Sequence, residues 1–303
     1  MDNSVLLVSP SPHVRDKSST TRIMLDVIIA LVPALIASVI FFGPRALLVV
    51  AVCVATCVLC EWGFEKICKR DVTVGDLSAV VTGMLLAFNL PSTIPLWQAV
   101  FGSVVAIVVV KQLFGGIGCN FANPAITARI VMLISFAGTM SNFATKNDAV
   151  SSATPLSGGD MPSLLNLFLG NHGGSLGETC ALALIIGGIY LVARKVITWH
   201  TPVVFVGTVF VFSFILGENP VEQILMGGLM LGAIFMATDY STTPHTKWGK
   251  VIFGLGCGII TVLIRSFANY PEGVSFAILF MNILTPYISS WTKKRPFGGV
   301  KRK

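Results

Sequence analysis

The chain has 303 residues, of which 54% are hydrophobic and only 12% are charged, and its formal net charge is +7. Soluble domains carry about a quarter of their residues as Asp, Glu, Lys and Arg, so this composition excludes an ordinary water-soluble protein. Disordered, collagen-like and disulfide-stapled chains are excluded too, since apolar runs fill the sequence and the seven Cys are odd in number. We therefore predict an all-α polytopic membrane protein.

Ten apolar runs have about the length that a helix needs to cross some 30 Å of hydrocarbon. Those of the first half are 25–42, 46–62, 74–90, 96–113 and 124–140. Those of the second half are 176–193, 202–216, 221–238, 251–264 and 274–291. The third, eighth and ninth runs are short or interrupted by glycines.

The basic residues predict the orientation of these spans. With both termini in the cytoplasm, nearly all of the 21 Lys and Arg fall on the inner side. The exceptions are Arg45, Lys146 and Arg265 outside and Arg129 within the fifth span. Because Lys and Arg are retained on the cytoplasmic side, this asymmetry favours a multi-pass protein of the cell (inner) membrane, surrounded by lipid and not bound to nucleic acid.

A short string recurs in the two halves: Phe121-Ala122-Asn123-Pro124 returns as Phe267-Ala268-Asn269-Tyr270-Pro271. Because each half has five spans, an odd number, the second copy enters the membrane from the opposite side, so we predict two inverted repeats. Interrupted helices in such folds meet near the bilayer midplane and bind ions or polar ligands. The alternative is a chance match between Ala- and Phe-rich segments. The predicted divisions are a cytoplasmic tail (1–23), a first five-helix repeat (24–140), an outer loop (141–175), a second repeat (176–292) and a basic cytoplasmic tail (293–303).

The outer loop contains the string from Asp148 to Thr154, which by itself would be an ordinary polar turn beside a Pro. It is similar to the flavin-transfer pattern D-x-x-S/T-G-A-S/T, whose final hydroxyl forms a phosphoester with FMN. Further signatures lie at 115–125, 236–239, 243–250 and 270–282. Together these stretches resemble the family that contains the D component of Rnf electron-transport complexes and the B component of the sodium-pumping NADH:quinone reductase.

This resemblance implies that Thr154 carries covalent FMN on the outer face. Asp148, Ser151, Ser152 and Ala153 would be read by a flavin transferase, although Ser152 stands where the pattern usually has Gly. It also implies a complex that transfers electrons between ferredoxin and NAD while moving sodium ions or protons. Partners would be the other Rnf subunits, including an outer-face flavoprotein, and this chain would not bind NAD itself. The alternative is a secondary transporter with inverted repeats and no flavin.

A second candidate site precedes the fifth span, where Gly116, Gly118, Asn120 and Asn123 lead into Pro124. The free N–H groups of a helix start can bind an anion or a polar ring edge. A second, noncovalent flavin such as riboflavin or FMN, or a cation, would fit there. The alternative is a packing role for the glycines and a helix cap for the Asn.

Three charged residues are candidates within the membrane. Arg129 inside a span must face a cavity or a partner, either a flavin phosphate or a carboxylate. Asp76 and Asp239 occupy corresponding places in the third and eighth spans and are candidates for an ion pathway, with a helix cap as the alternative. No Cys or His pair has the spacing of a haem or zinc site, and we predict no catalytic side chain, since the flavin would do the redox chemistry.

Overall fold

The computed structural model describes residues 19–143, 163–170, 173–268 and 273–293. Every regular element in those ranges is helical and none is a strand, which confirms the all-α class. The earlier helices are α1 (Thr20–Phe42), α2 (Pro44–Ile67), α3 (Ser78–Phe88), α4 (Leu96–Val104), α5 (Pro124–Ser135), α6 (Ala137–Met140) and α7 (Leu164–Leu169). The later ones are α8 (Ala181–Ala193), α9 (His200–Ile215), α10 (Pro220–Leu225), α11 (Leu229–Leu231), α12 (Lys247–Phe267) and α13 (Gly273–Thr292).

Four of these helices are long and apolar enough to cross a membrane. They are α1, α2, α12 and α13, with 23, 24, 21 and 20 residues. Shorter apolar helices of 10 to 17 residues fill much of the remaining described chain, among them α3, α5, α8 and α9. The chain is therefore a multi-pass membrane protein, and the number of ten spans stays a prediction.

The outer surface of the bundle is apolar, as expected of a protein in lipid. Large apolar side chains are exposed along its helices, for example Ile40, Leu59, Ile134, Ile189, Phe214, Tyr287 and Trp291. Charged side chains such as Glu61 and Arg129 are instead buried inside. An apolar surface of this extent would aggregate in water, whereas lipid covers it without cost.

The interrupted runs behave in different ways. The third begins with the 3-10 turn Val74–Asp76, so α3 starts only at Ser78. The eighth is broken between α10 and α11, where Met226 is extended and Gly227 has φ +65°. From α11 the chain continues as a π-helix, Gly232–Met236. The fifth run also breaks, at Phe136 between α5 and α6.

The ninth run forms one continuous helix, α12, of 21 residues despite its glycines. Its glycines serve close packing instead. A Cβ at Gly254 would lie 3.0 Å from the carbonyl oxygen of Thr201, and one at Gly258 would lie 2.5 Å from Thr208 Cβ. Small residues of this kind let the backbones of membrane helices approach, here those of α12 and α9.

We expect Gly258→Ala to lower the stability of the protein by about 1–3 kcal/mol, because the new methyl group overlaps Thr208. The matched control is Gly63→Ala in α2, where an added Cβ meets nothing within 4 Å. That change should leave stability unchanged or raise it by about 0.5–1 kcal/mol, since Ala is the better helix former. Thermal unfolding of both variants in detergent measures the difference, and equal melting temperatures would contradict the packing role of Gly258.

The helices pack in a similar order in the two halves. In the first, α2 contacts α3 and α4, and the π-helix Val105–Gln112 that extends α4 contacts α5. In the second, α9 contacts α10 and α12, and α12 contacts α13. Between the halves, α1 packs on α8 and α5 packs on α13. The two halves therefore contact each other through these two helix pairs.

Both arginines that the sequence predicts to lie outside bind backbone carbonyls beside interrupted elements. Arg45 donates from Nε to the carbonyl of Ser92, after the end of α3, at 2.9 Å. Arg265 donates to the carbonyls of Gln223 and Met226, at the end of α10, at 2.6 and 3.1 Å. These carbonyls have no partner further along a helix, so each arginine satisfies acceptors that a break leaves open.

Candidate functional site

The predicted flavin-attachment motif cannot be placed by the structure. Asp148, Ser151, Ser152, Ala153 and Thr154 all lie outside the described residues. Covalent FMN on Thr154 therefore stays a prediction.

The glycine-rich loop before α5 has the backbone that its sequence indicates. Gly115, Gly116 and Gly118 all have positive φ, at +122°, +93° and +82°. A side chain at any of them would be strained. The N–H of Gly116 donates to the carbonyl of Lys111 at 3.0 Å, which closes the end of the π-helix onto the loop.

Asn123 caps α5. Its Oδ1 accepts from the N–H groups of Ala125 and Ile126, at 3.0 and 3.4 Å. Its Nδ2 donates to the carbonyl of Met236 at 3.4 Å, which ties the start of α5 to the end of the second π-helix. The cap alternative is therefore confirmed for Asn123. Its neighbour Asn120 differs, since its Oδ1 is buried with no hydrogen-bond partner among the described residues.

A cavity of about 530 Å³ lies beside this loop, within the range of small-molecule sites. Gly118, Asn120, Asn123 and Asp239 all line it, so the structure brings together four of the predicted site residues. Its other polar lining residues are Thr20, Ser78, Thr82, Lys111, Thr238, Tyr240, Ser241 and His245. Its apolar walls include Ile23, Met24, Val27, Val81, Leu85, Leu191 and Phe235. Gly116, Asp76 and Arg129 do not line it.

The two candidate acids of the ion pathway bind hydrogen-bond donors of their own loops. Asp76, at the end of the 3-10 turn, accepts at Oδ1 from the N–H and the hydroxyl of Ser78, the first residue of α3, at 2.7 and 2.5 Å. Asp239 Oδ2 accepts from the hydroxyls of Ser241 and Thr242, at 3.2 and 3.0 Å. Of the two, only Asp239 borders the cavity.

Sequence reasoning missed a buried ion pair at the cavity wall. Lys111 Nζ lies 2.5 Å from Glu61 Oε1 and donates to the Ser78 hydroxyl at 2.6 Å. Gln112 donates to the same carboxylate oxygen at 2.8 Å. The sequence placed Lys111 among the inner-side cations, but both Lys111 and Glu61 are buried. The signal that could have found them is a charge at the end of each of two apolar runs.

Arg129 pairs with a carboxylate, which is one of its two predicted partners. Its Nη1 lies 2.6 Å from Glu178 Oε1 and donates to Asn89 Oδ1 at 2.5 Å. Asn89 in turn donates to the carbonyl of Leu85 at 2.6 Å. Arg129, Glu178 and Asn89 are all buried, so the guanidinium is compensated inside the bundle. Glu178 and Asn89 were not among the predicted site residues.

Comparisons with known proteins all point to one protein family. Residues 7–298 match the model of the NQR2, RnfD, RnfE family. A relative from Acetobacterium woodii, the D component of the Na(+)-translocating ferredoxin:NAD(+) oxidoreductase complex, is 48% identical over 100% of this chain and 98% of its own length. The proton-translocating counterpart from Clostridium ljungdahlii is 39% identical over 97% of each chain. The D component of an Escherichia coli ion-translocating oxidoreductase complex is 33% identical over 98% of this chain and 99% of its own.

Proposed function

The chain belongs to the NQR2, RnfD, RnfE family, and we propose on that basis that it is the RnfD-type membrane component of an Rnf complex. Such a complex couples electron transfer between ferredoxin and NAD to the translocation of sodium ions or protons. The observation that carries the proposal is the match over essentially the full length to relatives whose names state ion translocation, two of them together with ferredoxin and NAD. One relative is named for sodium and another for protons, so the ion is one of these two.

We propose that Thr154 carries FMN through a phosphoester, attached by a flavin transferase that reads Asp148 and residues 151–153. The support is the motif, together with the charge asymmetry, which favours an outer position for its loop. There it could accept electrons from an outer-face flavoprotein subunit. The protein would fix the position of the flavin, which supplies the redox chemistry.

The cavity beside α5 suits a second, noncovalent flavin such as riboflavin or FMN. Its apolar walls would cover the faces of a ring system and its polar residues would reach the ring edge. The buried Oδ1 of Asn120, which has no partner among the described residues, would accept from a ring N–H. Lys111 and Ser78 would add polar groups at the same wall. Asp239 at the same wall, and Asp76 near it, are the proposed ion pathway residues.

We further propose ten spans in two inverted five-helix repeats, with both termini in the cytoplasm. The similar packing order of α2 with α4 and of α9 with α12 supports this arrangement. The late start of α3 and the break between α10 and α11 support it too. Interrupted helices in corresponding positions of the two halves are typical of inverted repeats.

The proposed function is tested with the purified complex in liposomes, with and without this component. Reduced ferredoxin and NAD+ should give NADH formation together with ²²Na+ uptake or a pH change inside, and both should fall to background when the component is left out. Coupled transport that persists in its absence would contradict the proposal. Ion transport by the isolated chain, with no electron donor, would favour the secondary transporter.

A further inference from the structure

The segment between the long outer loop and α8 is buried in the middle of the bundle. The N–H groups of Leu176 and Gly177 donate to the carbonyls of Leu90 and Phe88, at 3.0 and 2.9 Å, at the end of α3. Ser38 donates to the carbonyl of Leu176. Gly177 has no room for a side chain, since a Cβ would lie 2.3 Å from that of Phe88. The segment is therefore held in one position against α3.

This segment contains three oxygen-bearing side chains in five residues. Ser175, Glu178 and Thr179 are 1%, 4% and 1% exposed. The Oγ of Ser175, the Oε1 of Glu178 and the Oγ1 of Thr179 have no hydrogen-bond partner among the described residues. A buried polar atom without a partner is costly, and such atoms are normally satisfied by protein, water or an ion. Two hydroxyls without a partner in one segment, beside a buried carboxylate, indicate a ligand.

A positive charge already faces this segment. Arg129 Nη1 is 2.6 Å from Glu178 Oε1, close enough for an ion pair but without the angles of a hydrogen bond. The same Nη1 donates to Asn89 Oδ1. Gly228, in the break between α10 and α11, also packs against this carboxylate. A Cβ added there would lie 2.5 Å from Glu178 Oε1. Elements from both halves therefore converge on this carboxylate.

We propose that Glu178, Ser175 and Thr179 form a sodium-binding site, which Na+ fills by exchange with the Arg129 guanidinium. Carboxylate and hydroxyl oxygens are the ligands that hard cations prefer. Membrane transporters place such sites at interrupted helices, and here the end of α3 and the α10–α11 break both lie against the segment that contains Glu178. This site is separate from the cavity that Asp239 borders, and the inference deepens the proposed ion translocation and rests on it.

The exchange between Na+ and the Arg129 guanidinium follows from the charge balance of the site. A buried carboxylate balances one positive charge, and a second cation beside Arg129 would be uncompensated in a low-dielectric interior. Na+ can therefore bind only as Arg129 withdraws from Glu178. Asn89 offers an acceptor at which the guanidinium remains hydrogen-bonded. The Glu178 carboxylate would then be paired alternately with the Arg129 guanidinium and with a bound Na+.

The test is equilibrium binding of ²²Na+ to the purified complex at constant ionic strength, with potassium replacing sodium. Glu178→Gln should remove one saturable class of sites. Ser175→Ala and Thr179→Val should each weaken that class at least about tenfold, since even residues that only orient ligands are worth about 10–100-fold. The control is Ser213→Ala in α9, which removes another buried hydroxyl without a partner among the described residues and should change nothing.

Arg129→Gln should change the affinity for sodium in the opposite direction, because it removes the positive charge that competes with Na+ for Glu178. It should tighten ²²Na+ binding several-fold, provided that size-exclusion chromatography shows an assembled complex. No saturable binding in the wild type, equal binding in the Ser175→Ala, Thr179→Val and Ser213→Ala variants, or weaker binding in an assembled Arg129→Gln complex would overturn the site. Sodium binding is measured without electron transfer. A complex that binds sodium at this site but lacks covalent flavin would therefore support the site and contradict the proposed flavin attachment.

Discussion

Glu61→Gln is expected to destabilise the protein by about 3–5 kcal/mol, because it leaves the Lys111 ammonium buried without a carboxylate. Lys111 is only 2% exposed and belongs to the π-helix that extends α4. The Ser78 hydroxyl would remain as an acceptor, but it carries no compensating charge. The melting temperature of the purified protein in detergent measures the loss.

The double variant Glu61→Gln with Lys111→Met should recover much of this stability, since no unpaired charge remains inside. A double-mutant cycle then gives the coupling between the two residues. The control is Lys66→Met in α2, where an exposed ammonium lies 4.6 Å from the Trp62 ring and its loss should cost at most about 1 kcal/mol. A double variant no more stable than Glu61→Gln would contradict the pairing of Lys111 with Glu61.

Thr154→Ala should abolish covalent flavin attachment and reduce ferredoxin-dependent NAD+ reduction to background. The change removes the hydroxyl that would form the phosphoester at the end of the motif, and an electron carrier on the outer face is lost with it. Fluorescence of this chain on a denaturing gel reports attachment, and NADH formation by membranes reports electron transfer.

The control variant Thr154→Ser keeps a hydroxyl that the flavin-transfer pattern accepts, so fluorescence and activity should both persist. Thr145→Ala changes a second threonine of the same sequence region and should also have no effect. Full electron transfer in the Thr154→Ala variant would mean that this chain is only a structural anchor.

The features that the sequence predicts well are local. Asn123 and Pro124 mark the start of α5, because a Pro needs no N–H partner at the first turn and an Asn side chain can accept from the next N–H groups. The positive φ of Gly116 and Gly118 follows from their lack of a Cβ. Each depends on neighbours within a few residues, which the sequence contains.

The features that it misses depend on distant contacts. Glu61 and Lys111 are 50 residues apart, and their pairing requires α2 to pack against the end of the π-helix. Glu178 follows a long polar loop and resembles a surface residue, yet its segment is drawn inside by hydrogen bonds to the end of α3. The glycines of α12 predict a break or a close contact equally well, and only the position of α9 decides between them.

The most direct test of covalent flavin attachment is the intact mass of this chain, purified from membranes that contain a flavin transferase. We expect the mass of the chain, 32.3 kDa before modification, plus that of FMN less one water, with the increment on the fragment that contains Thr154. A chain at its unmodified mass, with an unmodified Thr154 fragment, would contradict the proposed flavoprotein.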